Sequence, residues 1–303
     1  MNTRGRNIFG SLCAILGGVC WGLSGSCGQF LFTHENMDVK WLVPIRLGFA
    51  GLILLIFSLL RYKPKNVIAP FKTKKDIIGL LVYGLLGVSL CQFFYFATIQ
   101  LSSAAIGTIL QDLAPAMILL VECLIVKRRP HVTEIIAIVL AMLGVSLITT
   151  HGQFTLSIPV SALVAGIICA VCVTVYNVDP GHVLKKFPVI ILQGWSFLLG
   201  SLFFMLIFQP WQYHYHPSMI GLLGIAFVVV VGNVLAFPLY MTGVRIIGPS
   251  KSILYGFSEP VTAAIVGTLF LGNIFTLWDL LGFVLIFGML TLISLQQRKS
   301  DSV

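Results

Sequence analysis

The stretch FYFATIQLSSAAIGTILQDLAPAMILLVECLIV (residues 94–126) aligns without a gap to LYMTGVRIIGPSKSILYGFSEPVTAAIVGTLFL (239–271), at a constant offset of 145 residues. The register pairs Tyr95 with Tyr240, Ile109–Leu110 with Leu254–Tyr255 and Pro115 with Pro260; upstream, Gly87 pairs with Gly232. Identity is sparse, but the alternation of small and large residues persists through both copies. The chain therefore reads as an internal duplication, 1–152 and 153–303.

Working outward from these two segments, ten apolar spans follow one another at roughly 8–32, 39–60, 77–99, 103–126, 132–150, 157–178, 187–208, 217–242, 250–271 and 277–296. Each approaches the roughly 20 residues that an α-helix needs to cross a bilayer. The runs are too long and continuous for the short alternating strands of a membrane β-barrel. The expected fold is an all-α membrane protein of ten transmembrane helices. Five spans per copy is an odd number, so the second copy enters the bilayer from the opposite side. That is an inverted-topology repeat, an architecture of secondary transporters with a binding site near the midplane.

Composition agrees. The 303 residues are 58% hydrophobic and 10% charged, with a mean hydropathy of +1.00, against about 25% charged in soluble domains. The connections are too short to house a soluble catalytic or nucleic-acid-binding domain. A formal net charge of +9 resembles a nucleic-acid signal until the charges are placed. Seventeen of nineteen Lys and Arg residues fall at the termini or in even-numbered loops, leaving Lys40 and Arg46. The positive-inside rule then assigns both termini and every even loop to the cytoplasm. The first span has the basic start of a signal peptide, but its glycine-rich middle does not fit one. Residues 8–32 are read as a mature helix.

All seven cysteines lie within spans and are read as buried small hydrophobes rather than a disulfide framework. The six histidines lie in loops or at span edges at no spacing that demands a metal. No GxxxxGK[ST] occurs, so no nucleotide cofactor is expected.

A Trp-Gly in a glycine-rich first span (Trp21–Gly22), Arg46 in the second span, small-rich fourth and ninth spans with central prolines, and FSEP (257–260) before LFLGN (269–273) together resemble the drug/metabolite transporter superfamily, EamA type. The resemblance covers essentially the whole chain. It implies a ten-helix inverted-repeat carrier, commonly an exporter of amino acids or other small metabolites. This chain departs from the pattern in its fourth span, where Ala114–Pro115 replaces Glu-Pro and Asp112 stands nearby.

Charges inside spans cost at least about 2.5–3.5 kcal/mol on insertion scales and need a reason. Glu259 lies about nine residues, roughly 14 Å at 1.5 Å per residue, from the cytoplasmic end of its span. With Ser252, Tyr255 and Thr262 it forms a helical stripe expected to line a cavity, the alternative being a structural carboxylate. Asp112 is also near the midplane and is expected to bind substrate or a proton, the alternative being a buried pair with Arg46. Arg46 could equally snorkel toward the outer surface. Glu122, Glu134 and Asp279 read as boundary charges. Trp21 and Trp195 lie well inside their spans, whereas Trp41, Trp211, Tyr213, Tyr215 and Trp278 fall at the outer boundary as anchors. Gly18, Gly22 and Gly25 form a small-residue ridge around Trp21, so the ring is expected to point into a central space, with plain packing as the alternative. Pro115, Pro238 and Pro260 are candidate hinges, or packing kinks, because each deletes a helix hydrogen bond.

The expectation is a secondary-active transporter, in the export direction, of small organic metabolites, amino acids foremost, working by alternating access in the cell membrane. Its expected substrate-binding residues are Trp21, Gln92, Tyr95, Asp112, Trp195, Asn233, Tyr255 and Glu259, with Asp112, Glu259 and Arg46 as coupling or structural charges. Expected partners are a small-molecule substrate and membrane lipid, with protons as a further candidate, not nucleic acid; no cofactor or metal is expected, and oligomeric state is left open. The alternative solute class is choline-like quaternary ammonium ions, which aromatic faces hold by cation–π attraction. An intramembrane lipid- or sugar-modifying enzyme is a more distant alternative, because it needs clustered His, Asp and Glu at the interface.

Overall fold

The computed structural model describes residues 3–127, 129, 131–151, 157–178, 181–247, 252, 255, 256 and 258–300. Among these residues every regular element is helical. The principal helices are α1 (Thr3–Thr33), α2 (Val39–Arg61), α3 (Lys74–Leu101), α4 (Ala104–Gln111 and Ala114–Val126) and α5 (Val132–Thr150). They continue with α6 (Val160–Val178), α7 (Val189–Phe208), α8 (Met219–Phe227, Val228–Leu235 and Ala236–Ile247), α9 (Ser258–Phe270) and α10 (Leu277–Ser300). Among the described residues, seven helices are long and apolar enough to cross a membrane: α1–α4 and α6–α8; α5 and α10 carry the shorter apolar segments Val132–Ile148 and Leu277–Leu292. Much of 250–257, the start of the ninth expected span, and the boundary at 152/153 lie outside the described residues.

Local sequence explains where the helices begin. Asp38 caps α2 by accepting the Lys40 N–H at 2.7 Å. Thr73 caps α3 through the Asp76 N–H, Ser103 caps α4 through the Ile106 N–H, and Ser218 caps α8 through the Gly221 N–H. Each side-chain oxygen satisfies a donor that the first helical turn leaves without a partner. Two expected boundary charges also cap helices. Glu134 accepts the His131 N–H at 2.7 Å at the head of α5. Asp279 accepts the Thr276 N–H at 2.8 Å at the head of α10 and meets His151 Nε2 at 3.2 Å. His151 therefore tethers the end of α5 to the start of α10 instead of standing free in solvent.

The helices carry apolar side chains on both sides, as a membrane bundle must. On α2, Leu42, Val43, Leu47 and Ala50 are fully buried, while Phe49, Leu52, Ile56 and Leu60 are exposed. Lipid, not water, suits that outer face. Small residues make the crossings: Gly51 of α2 meets the backbone of Leu198 and Gly194 on α7, and Gly144 of α5 meets Gly282 of α10. Helices in lipid lack a hydrophobic drive toward each other, so close backbone approach and hydrogen bonds take over. Ser201 of α7 accordingly donates to the Pro44 carbonyl of α2 at 2.7 Å.

Two helices carry a wider π-helical segment, Val82–Ser89 in α3 and Val228–Leu235 in α8. Their starting residues, 82 and 228, fall within one position of the 145-residue offset. Extended π geometry is rare and concentrates at functional sites, so its recurrence at related positions follows the duplication seen in the sequence.

The basic segment that runs up to Lys75 and the one that ends at Lys186 meet at one end of the bundle. Lys186 pairs with Asp76 at 2.6 Å, and Trp195 Nε1 donates to the Val67 carbonyl at 2.8 Å, tying the segments before α3 and α7 together. We call this the basic end.

The glycines of α1 are accounted for by contact. A Cβ on Gly22 would lie 2.5 Å from the Glu259 carbonyl oxygen of α9, and one on Gly25 would lie 2.5 Å from the Tyr95 hydroxyl. Gly22→Val should therefore push α9 away and cost about 1–3 kcal/mol, the usual price of overpacking. Gly288→Ala is its control, because a Cβ there meets nothing closer than Leu140 Cδ1 at 3.8 Å. A thermal unfolding midpoint clearly lowered by the first substitution and unmoved by the second is the expected result.

Candidate substrate-binding cavity

A cavity of about 300 Å³ occupies the middle of the bundle. Its wall includes Trp21 and Ser24 of α1, Arg46 of α2, Gln92 and Tyr95 of α3 and Asp112 of α4. The second half of the chain adds Gln193 of α7, Asn233 and Tyr240 of α8 and Glu259 of α9. The cavity reaches toward the basic end, where Asn177 at the end of α6 is exposed. At the opposite end of the bundle α1, the head of α4 and the segment after α9 meet in a buried polar knot. Gln29 Nε2 donates to Asn273 Oδ1 at 2.7 Å, and Gln29 Oε1 accepts the Ala104 N–H at 2.8 Å. Nearer the cavity, the Tyr95 hydroxyl donates to Glu259 Oε1 at 3.3 Å.

Asp112 stands at the interruption of α4. The first half of the helix ends at Gln111, and the second restarts at Ala114 with Pro115 in its first turn. Proline has no N–H, so the Gln111 carbonyl loses its helical donor. Such a break is tolerated at membrane depth where it faces protein or a cavity. Asp112 Oδ2 is buried with no hydrogen-bond partner among the described residues.

Arg46 takes a course the sequence did not suggest. Its side chain is 1% exposed and turned into the bundle, not toward the outer surface. Among the described residues it has no carboxylate within 4.0 Å, so the Arg46–Asp112 pair is absent. Instead Nη1 donates to Asn233 Oδ1 at 3.2 Å, Nη2 donates to Gln92 Oε1 at 2.7 Å, and the guanidinium lies 3.6 Å from the Phe96 ring centroid. Two amides and an aromatic face replace the expected acid because Gln92 and Asn233 flank it from α3 and α8.

Of the expected binding residues, Trp21, Gln92, Tyr95, Asp112, Asn233 and Glu259 meet in the cavity wall. The Trp21 ring packs 5.2 Å from that of Tyr240, and both border the cavity. Trp195 and Tyr255 stand elsewhere. On α7 the cavity face is set by Gln193 and Phe197, four residues apart; Trp195 lies about 200° round from Gln193 at 3.6 residues per turn. Its ring packs edge-on against Phe71 at 4.8 Å near the basic end. In the ninth span Gly256 and Glu259 border the cavity, while Tyr255 is 36% exposed and Thr262 of α9 packs against Gly22 of α1. Ser252 is fully buried and does not border the cavity. The supposed single stripe is therefore too broad to share one wall. Among the prolines, Pro115 borders the main cavity, and Pro238 borders a side pocket of about 180 Å³ that shares Gln193 and Asn233 with it. Pro260 is buried.

Sequence reading missed Tyr83 and Gln193, whose side chains bond at 3.2 Å across the lower wall. A glutamine five residues into an apolar helix was the available signal. It also missed a thiol contact: Cys91 Sγ of α3 and Cys169 Sγ of α6 lie 3.7 Å apart beside Gln111. Among the described residues no group of three or more His, Cys, Asp or Glu side chains could hold a metal.

A helical membrane bundle with a polar chamber built by both halves of the chain has the architecture of a membrane transporter. The chain belongs to the EamA-like transporter family, whose pattern it matches twice, over residues 8–150 and 160–295. It is 34% identical to the inner membrane transporter YicL of Salmonella typhimurium, over 96% of both chains. Protein PecM of Dickeya dadantii is 24% identical, over 79% of this chain and 82% of its own. A solved crystal structure 18% identical in sequence superposes with a TM-score of 0.63, covering 97% of this chain and 99% of that one, a likeness of fold.

Proposed function

We propose that this chain is a secondary-active carrier of the cell membrane that exports small organic metabolites, amino acids foremost, by alternating access. Its working parts are two five-helix units of opposite topology, 1–152 and 153–303, with both termini and the basic end in the cytoplasm. The observation that carries this reading is the cavity: both units contribute polar groups to it and it reaches the basic end; in this reading the knot around Gln29 seals the other end. In this assignment the state described here loads from the cytoplasm. The recurrence of the π segments at related positions supports the pairing of the units. Pro115, Pro238 and Pro260 are the proposed points of flexure as the units rock. Asp112 and Glu259 offer negative charge to an ammonium group or a proton, with Trp21 and Tyr240 as aromatic walls.

The test is counterflow into proteoliposomes of the purified chain, comparing the amino acids individually with choline, with and without a pH gradient. Saturable flux of one or more amino acids, altered by the gradient, is expected. Flux of choline alone would transfer the reading to quaternary ammonium ions. Reconstituted, folded protein that moves none of these solutes would end the proposal.

A further inference from the structure

We infer that Arg46, Gln92 and Asn233 form the site that binds a substrate's carboxylate group. The inference rests on the carrier reading above and assigns a part of that cavity. Arg46 and Asn233 are 1% and 3% exposed, and both border the chamber. Arg46 Nε and Asn233 Nδ2 are buried donors without an acceptor among the described residues. Guanidinium has donors only, so the Asn233 carbonyl must face it and the amide N–H₂ is left over. The result is a cationic group with an adjacent free amide donor and no acid beside it, which is the complement of a carboxylate.

Gln92 completes the argument. Its Oε1 accepts from Arg46 Nη2 at 2.7 Å, where a substrate carboxylate oxygen would bind. Gln92 is only half-buried, so its side chain can withdraw as the ligand enters. The second carboxylate oxygen then takes the Asn233 amide. The guanidinium plane is meanwhile held against Phe96. Asp112 and Glu259 border the same chamber without touching Arg46, which places an ammonium-binding region apart from the carboxylate-binding one. A zwitterion satisfies both; a quaternary ammonium ion leaves Arg46 unanswered.

The experiment uses the full chain in proteoliposomes with radiolabelled L-alanine, L-leucine, L-phenylalanine and L-glutamine, each beside its α-amide, and choline. Acids should move at least about tenfold faster than their amides, as expected for loss of a charge-assisted hydrogen bond. Arg46→Gln should erase that preference, and Arg46→Lys should restore part of it, keeping the charge but not the fork. Because Arg46 is buried, a second variant guards against misfolding. Asn233→Asp sets a carboxylate beside Arg46, so it should block acid transport while holding or raising the thermal unfolding midpoint. Amides moving as fast as acids, or Asn233→Asp transporting acids like the parent, would overturn the carboxylate site and leave the carrier standing. Choline moving alone would overturn the site as well. No flux of acid, amide or choline would remove the carrier reading and the site together.

Discussion

Asp112→Asn should lower substrate flux by at least about tenfold while leaving the thermal unfolding midpoint unchanged or higher. The flux effect follows from hydrogen bonds to charged groups, worth about 1.5–3 kcal/mol each. The stability effect has the opposite sign to that of a structural acid. Asp112 Oδ2 is buried without a partner among the described residues, and a desolvated carboxylate without compensation opposes folding. The neutral amide relieves that cost and keeps the shape. Glu259→Gln is the companion, because glutamine retains an oxygen for the Tyr95 hydroxyl, now 3.3 Å from Glu259 Oε1. It should preserve the Tyr95 contact and remove the dependence of flux on a proton gradient. Parent-like flux in both variants, with parent-like folding, would take the two acids out of the mechanism.

The second large effect is expected at the sealed end. Gln29 is 3% exposed and serves both the Ala104 N–H and the Asn273 side chain. Gln29→Leu keeps the volume but orphans these groups, at about 1–3 kcal/mol for each one left buried. Water can satisfy them only if this end opens, so the equilibrium should move toward the open form by about tenfold or more, 1.4 kcal/mol being one decade. The readout is labelling of Ser24→Cys, in the cavity wall, by an impermeant maleimide applied outside cells expressing a chain otherwise free of cysteine. Labelling no faster than without Gln29→Leu would show that the knot does not hold this end shut.

How much of this was legible beforehand depends on the kind of evidence a residue carries. The helical bundle was legible because long uncharged runs have few physical solutions in lipid, and the duplication survived as a small–large rhythm around Tyr95/Tyr240 and Pro115/Pro260. Intramembrane Asp112, Gln92, Asn233 and Glu259 were legible because polarity at that depth needs a reason, and all four border the chamber. Trp195 failed this logic. A tryptophan is apolar enough to be buried anywhere, and whether it faces a cavity depends on helix rotation, which a nearly uniform apolar helix such as α7 does not announce. Tyr255 failed for a related reason, since a stripe of polar residues in the ninth span spreads over more of the circumference than one wall can use. The Arg46 cluster was hidden because its partners are amides from α3 and α8, far apart in the chain, whereas charge alone suggested an acid.

The sulfur atoms of Cys91 and Cys169, 3.7 Å apart, come from opposite sides of the proposed duplication boundary. If the halves tilt against each other in each cycle, the spacing of these two atoms records the stroke. The molecule thus contains a native gauge of its own motion, readable by any reagent short enough to clasp both thiols in one posture and too short to do so in the other.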